Sequence, residues 1–223
     1  MLLFVAGSLS AVAAERDWTV WDVAESQIET PQNGMFVVLQ QGGNKDGWSS
    51  NGYLNPSGSF KAAVDASCVY ELVKVGEDAQ GDNVFVLKNF SNKQYMYSGG
   101  HTLSYGEAFQ CTILKGEAGS TDLRRLIDGN EKQPDSEGND WVLAGKLPEN
   151  GEKPNYLCYW DCPAYSTYID TNNWRIYEAT PHQPTADEKL ETVYNEVFKN
   201  GFSDIEFAVG DQPGNISQDL HDK

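Results

Sequence analysis

The chain has 223 residues, 39% of them hydrophobic, which suffices for one ordinary domain with its own core plus a further segment and argues against disorder for most of it. Its 33 acidic and 16 basic residues give a formal charge of −17. With the Lys and Arg scattered and no basic patch in view, that charge argues against nucleic acid and disfavours anionic membrane surfaces as partners, and leaves neutral glycans and proteins. Eleven Tyr, nine Phe and six Trp beside 21 Gly and nine Pro favour short strands joined by turns, an all-β composition.

Residues 2–14 (LLFVAGSLSAVAA) are apolar, rich in small residues and too short to span a bilayer, and they carry the A-x-A of Ala11, Val12 and Ala13. Residues 1–14 are therefore expected to be a secretory signal peptide, so that the mature chain is secreted or held at the cell surface with no membrane span. Residues 15–33 form an N-terminal lead-in, in which Trp18 and Trp21 are expected to pack across the domain that follows.

From 34 to 180 one pattern occurs three times. An apolar strand opens each unit: Phe36 to Gln41, Val84 to Asn89, and Trp141 to Gly145, with Leu39, Leu87 and Leu143 in matching places. An aromatic followed by Leu or Met comes next, as Tyr53-Leu54, Tyr95-Met96 and Tyr156-Leu157. A closing strand then begins on an aromatic with an apolar residue two places on: Tyr70 and Leu72, Phe109 and Cys111, Trp174 and Ile176. Gly, Pro, Asn and Ser cluster in the connections, and two polar linkers, 76–82 and 116–140, separate the units. Within the second linker, Asp122 to Leu126 suits either a short surface helix or an exposed inhibitory loop.

Four cysteines in an exported chain allow three disulfide connectivities. Cys158 and Cys162 bracket Tyr159-Trp160-Asp161 and are expected to be bonded. Cys68 and Cys111 fall at nearly matching places in two units, and either a bond or two buried thiols suits them. From Thr185 the period changes: Leu190, Val193, Tyr194, Val197 and Phe198 lie on one helical face, Thr185 and Glu188 form a capping box, and Gly201 is placed to end the helix. Residues 181–223 are thus expected to be a linker and the start of a helical region within a longer multidomain chain.

Three units of about forty residues, each with several short strands, are too few for a propeller and too uneven for a solenoid. They account directly for a β-trefoil, three pseudo-repeats around one axis. The run Phe85-Val-Leu-Lys-Asn89, Lys93-Gln-Tyr95-Met-Tyr97 and Phe109 to Leu114 resembles the repeat unit of ricin-like and fascin-like β-trefoils, and Tyr70 to Val75 resembles their closing strand. The resemblance covers residues 34–180 and implies the fold; the Q-x-W motif of ricin-type lectins is missing. The helical segment after it resembles spacers that follow trefoil modules in large exported proteins of Bacteroides-like bacteria.

No nucleophile elbow or zinc-type Cys and His spacing occurs, and the three histidines, His101, His182 and His221, lie in turn or linker sequence. The chain is expected to be non-catalytic and to carry no cofactor or metal. Recognition is expected instead from aromatic faces beside polar groups, the composition suited to a sugar ring. Trp160 and Asp161 with Tyr165 and Tyr168 form the main candidate site, and Trp48 with Asn51 a second. Trp160 equally suits a plug in the end of the barrel. The expected function is carbohydrate binding; the alternatives are a structural or protein-interaction spacer, or a protease-inhibitor-like trefoil.

Overall fold

The computed structural model describes residues 20–42, 52–98, 106–127, 140–159, 164–166, 172–183 and 185–194. It forms two compact units, Met1–His182 and Gln183–Lys223. The first is all-β. Its strands are β1 (Trp21–Gln27), β2 (Phe36–Gln41), β3 (Tyr53–Leu54), β4 (Phe60–Lys61), β5 (Val69–Glu77), β6 (Asn83–Asn89) and β7 (Cys111–Lys115). They continue as β8 (Glu117–Ala118), β9 (Leu126–Ile127), β10 (Trp141–Ala144), β11 (Tyr156–Cys158), β12 (Ala164–Ser166) and β13 (Asn173–Pro181).

Six strands make a closed circuit of antiparallel pairings, β2 to β5, β6, β7, β10, β13 and back to β2. Closure leaves these strands without a free edge. Side chains then alternate between the inside and the outside of the circuit. Leu39, Leu87 and Leu143 point inward and are completely buried in a single cluster. Each faces an aliphatic residue on its neighbour: Leu39 opposite Ile176, Leu87 opposite Leu72, Leu143 opposite Ile113. Truncation of any of the three to Ala is expected to cost about 2–5 kcal/mol.

The same registers correct the sequence alignment of the middle unit by two residues. Ile113, rather than Cys111, takes the place of Leu72 and Ile176. Phe109 lies ahead of β7, its N–H donating to the Met96 carbonyl, so it belongs to the connection between β6 and β7 rather than to the closing strand. That connection carries the bridges Lys88–Tyr95 and Tyr97–Ala108. The hairpin β3–β4 is joined to β2 through Gln40 and Tyr53, and β11–β12 to β10 through Ala144 and Tyr156. Each of the three connections therefore meets its parent strand at a tyrosine that the sequence pattern singles out.

Outside the circuit, Val38, Cys68, Val69 and Ala179 form a second cluster with Trp21. Trp21 packs edge-on against Phe36 and Phe90, with ring centroids 5.3 and 4.8 Å away. Its burial agrees with expectation, but it covers the outer surface instead of crossing the interior, because β1 lies antiparallel along the far end of β13. Cys68 in this outer cluster and Cys111 in the inner one are free thiols, which resolves their open pairing in favour of two buried cysteines on opposite faces.

Residues 116–127 of the long linker pack against the circuit. Glu117–Ala118 pairs in parallel with Leu126–Ile127, and between them Leu123–Arg125 forms one 3-10 turn whose first N–H groups are capped by Asp122. Of the two alternatives for that stretch, a short surface helix or an exposed inhibitory loop, the described residues form a short helical turn, and its Arg124 is buried, at 5% exposure.

The second unit contains one described helix, α1 (Ala186–Tyr194). The capping box is present: the Glu188 N–H donates to the Thr185 hydroxyl at 3.2 Å, and the Thr185 N–H donates to the Glu188 carboxylate at 2.7 Å. Asp187 and Glu188 also place negative charge on the positive end of the helix dipole. Among the described residues no helix is long and apolar enough to cross a membrane.

Candidate functional site

Trp160, Asp161 and Tyr168, Trp48 and Asn51, and Cys162 lie outside the described residues, as does the segment 1–14. Tyr165 sits in β12, paired in register with Leu157. Cys158, the other half of the expected disulfide, is buried on the outer face with Val142, Ala144 and Tyr156, and pairs in register with Ala164.

The structure does bring together the points from which the two candidate segments leave the described fold. Gly42 is the last described residue before Trp48 and Asn51, and Tyr159 the last before Trp160. The Tyr159 hydroxyl donates to the Gly42 carbonyl at 2.6 Å, a contact across 117 residues of sequence. Asn173, at the start of β13, holds both: its backbone carbonyl accepts from the Gly42 N–H at 3.1 Å and its side chain meets the Tyr159 hydroxyl. On the other side the Asn173 amide lies 2.8 Å from Asp140 Oδ2. Only glycine fits at position 42, since a Cβ there would come within 2.4 Å of the Asn173 side-chain nitrogen and 2.6 Å of its carbonyl oxygen.

Packing makes this joint rigid. The Tyr159 ring meets Trp174 edge-on at 5.1 Å, Trp174 stacks on Phe60, and the Trp174 indole N–H donates to the Leu157 carbonyl at 2.8 Å. The successive residues 172–174 are buried because each is used: Asn172 donates to the Leu126 carbonyl, Asn173 holds the joint, and Trp174 fills the core. The sequence pattern had recognised Trp174 as a strand opener. The two asparagines before it carry no such periodic signal.

A second polar feature lies elsewhere on the circuit. The Arg124 guanidinium meets three carboxylates: Asp122 through Nε and an NH2 nitrogen at 3.1 and 2.9 Å, Asp82 at 3.1 Å, and Asp78. The Arg124 hydrogen bonds hold the Asp122 carboxyl below the ordinary carboxylate range. For Asp78 partial burial pulls upward, but the N–H groups of Asp82 and Gln80 and the Arg124 charge outweigh it, and the carboxyl ends lower. The cluster rivets the 122–125 turn to the β5–β6 turn. Beside it opens a cleft of about 440 Å³ whose lining includes Thr112, Lys146, Pro148 and Glu149.

Among the described residues no group of three His, Cys, Asp or Glu side chains is arranged to hold a metal ion. No known protein family, curated protein or solved structure matches this chain.

Proposed function

We propose that residues 34–180 are a β-trefoil that binds a neutral carbohydrate without catalysis, as a module of an exported protein. The fold reading is supported by the six-strand circuit, by three inward leucines each facing an aliphatic residue, and by three connections each bridged to its parent strand at Tyr53, Tyr95 or Tyr156. Within that reading Leu39, Leu87 and Leu143 are related by a pseudo-threefold axis.

The observation that carries the functional reading is the Tyr159–Gly42 contact. It joins the origins of two segments that each bear a tryptophan and a polar partner, Trp48 with Asn51 and Trp160 with Asp161. Aromatic platforms flanked by hydrogen-bonding side chains suit a pyranose, and anchoring both origins to a packed core lowers the ordering cost of binding. The strongly acidic surface favours neutral over anionic sugars. A Cys158–Cys162 bond would further restrain Trp160.

Glycan-array binding by the full chain, alongside a Trp160→Ala variant, tests this. The expected result is binding to a neutral glycan that is lost in the variant while its melting temperature holds, since a stacking aromatic carries much of the affinity of a shallow site. A variant that loses about 3–5 kcal/mol of stability makes Trp160 a barrel plug instead. Silence of the wild-type chain across neutral glycans supports the structural spacer.

A further inference from the structure

Two Asn-Gly pairs among the described residues stand in turns, Asn33-Gly34 between β1 and β2 and Asn150-Gly151 between β10 and β11. Both pairs are exposed, and both glycines have positive φ, 80° and 76°. The dipeptide is chemically labile, because glycine has no Cβ to shield its nitrogen from the side-chain carbonyl carbon of the asparagine before it. The two turns differ in how they are held. The Gly34 N–H donates to the Leu72 carbonyl at 2.8 Å, the Leu72 N–H returns to the Met35 carbonyl at 2.9 Å, and the Lys74 N–H donates to Asn33 Oδ1 at 2.8 Å. Both reacting groups of the first pair are therefore bonded to β5. In the second turn the bonds are local: the Gly151 N–H donates to the Pro148 carbonyl at 3.3 Å, and Asn150 Oδ1 accepts from the Glu152 N–H at 3.1 Å.

We propose that Asn150 is a site of spontaneous deamidation in the folded chain, and that β5 protects the same dipeptide at Asn33. The Gly151 nitrogen gives its proton to hydroxide and bonds to Asn150 Cγ. The Cγ–Nδ2 bond breaks, and the departing nitrogen takes a proton from water and leaves as ammonia. The five-membered imide so formed takes up one water and opens at either carbonyl, leaving an aspartate or an isoaspartate at position 150. In sum one amide and one water become one acid and one ammonia, with no oxidation.

The attack requires the glycine nitrogen and the asparagine Cγ to turn toward each other. At 33–34 that movement gives up the Gly34–Leu72 and Asn33–Lys74 bonds together, and with them the seam between the turn and β5. At 150–151 it gives up a long bond inside the turn and leaves every strand pairing in place. Two ordinary hydrogen bonds surrendered before attack slow a reaction by about tenfold. The product places a new negative charge on the loop whose Lys146, Pro148 and Glu149 line the 440 Å³ cleft, so the chemistry alters the charge of that wall with age.

Peptide mapping by mass spectrometry of the full chain, held at mildly alkaline pH and sampled over days, reads both sites in one digest. In the native chain Asn150 is expected to convert at least about tenfold faster than Asn33. In urea, where the bonds to β5 are lost, the two rates are expected to converge. Equal rates in the native chain, or a faster Asn33, overturn the protection. A gap in urea as wide as the native one assigns the difference to neighbouring sequence and overturns the role of β5. An Asn150 that converts in urea but stays intact in the native chain overturns the site.

Discussion

Arg124 and Asp140 are both charged residues taken out of water, and the protein treats them in opposite ways. Arg124 is surrounded by Asp78, Asp82 and Asp122, whose side chains keep 17, 38 and 32% of their exposure, so the surplus negative charge stays hydrated at the rim. Asp140 has no such rim, and its nearest hydrogen-bonding partner is a neutral amide. A partly wet cluster can retain full charges, because water screens whatever the pairing leaves over. A dry site favours removal of the charge itself.

The largest effect that would break this contrast comes from Arg124→Met, which keeps most of the volume and leaves three carboxylates facing one another. A loss of about 3 kcal/mol in urea unfolding at neutral pH is expected, the lower end for a broken buried ion pair, because the carboxylates left behind are partly hydrated. The loss should shrink in acid. Asp78 and Asp122 have lowered carboxyl pKa values, so their stabilisation is present above the ordinary carboxylate range and vanishes as pH falls through the folded values. A penalty that is unchanged between neutral and acid pH would mean that Arg124 acts by packing alone.

Gly42→Ala comes next. The new methyl would collide with both the side chain and the backbone carbonyl of Asn173, and a loss toward the upper end of about 1–3 kcal/mol is expected. Faster hydrogen exchange at Gly42 relative to the β5–β6 strands would localise the damage. The smallest effect is expected from Tyr159→Phe, about 1 kcal/mol, since it removes one hydrogen bond while keeping the ring against Trp174.

The three leucines, the three tyrosines and the Thr185–Glu188 cap were legible because each follows from a local period or a spacing of three residues. The middle unit was misaligned because Phe109 and Cys111 mimic the aromatic-x-apolar opening of the other closing strands, and only strand pairing distinguishes them. The polar joint left no trace in the pattern. Its links span 33, 14 and 117 residues, from Asn173 to Asp140, Tyr159 to Asn173 and Tyr159 to Gly42. Asp140 was noticed only as the end of a polar linker, a position where a solvated acid is the ordinary expectation. Trp48, Asn51, Trp160, Asp161 and Tyr168 lie outside the described residues, and the two segments that carry them leave the described fold at Gly42 and Tyr159, which touch.

The pairing of β2 with β13 sets the order in which the chain can complete its fold. Leu39 cannot meet Ile176 until nearly the whole of the first unit has been synthesised. Until then β2 and β10 each expose an unpaired edge, and closing the circuit carries the entropy of a loop well over a hundred residues long. Topologies with such distant pairings fold slowly, on a scale of about milliseconds to seconds for domains of this kind. The strands from β2 to β10 can pair as they emerge, but the two ends of that sheet stay open to solvent and to other chains until β13 arrives to join them.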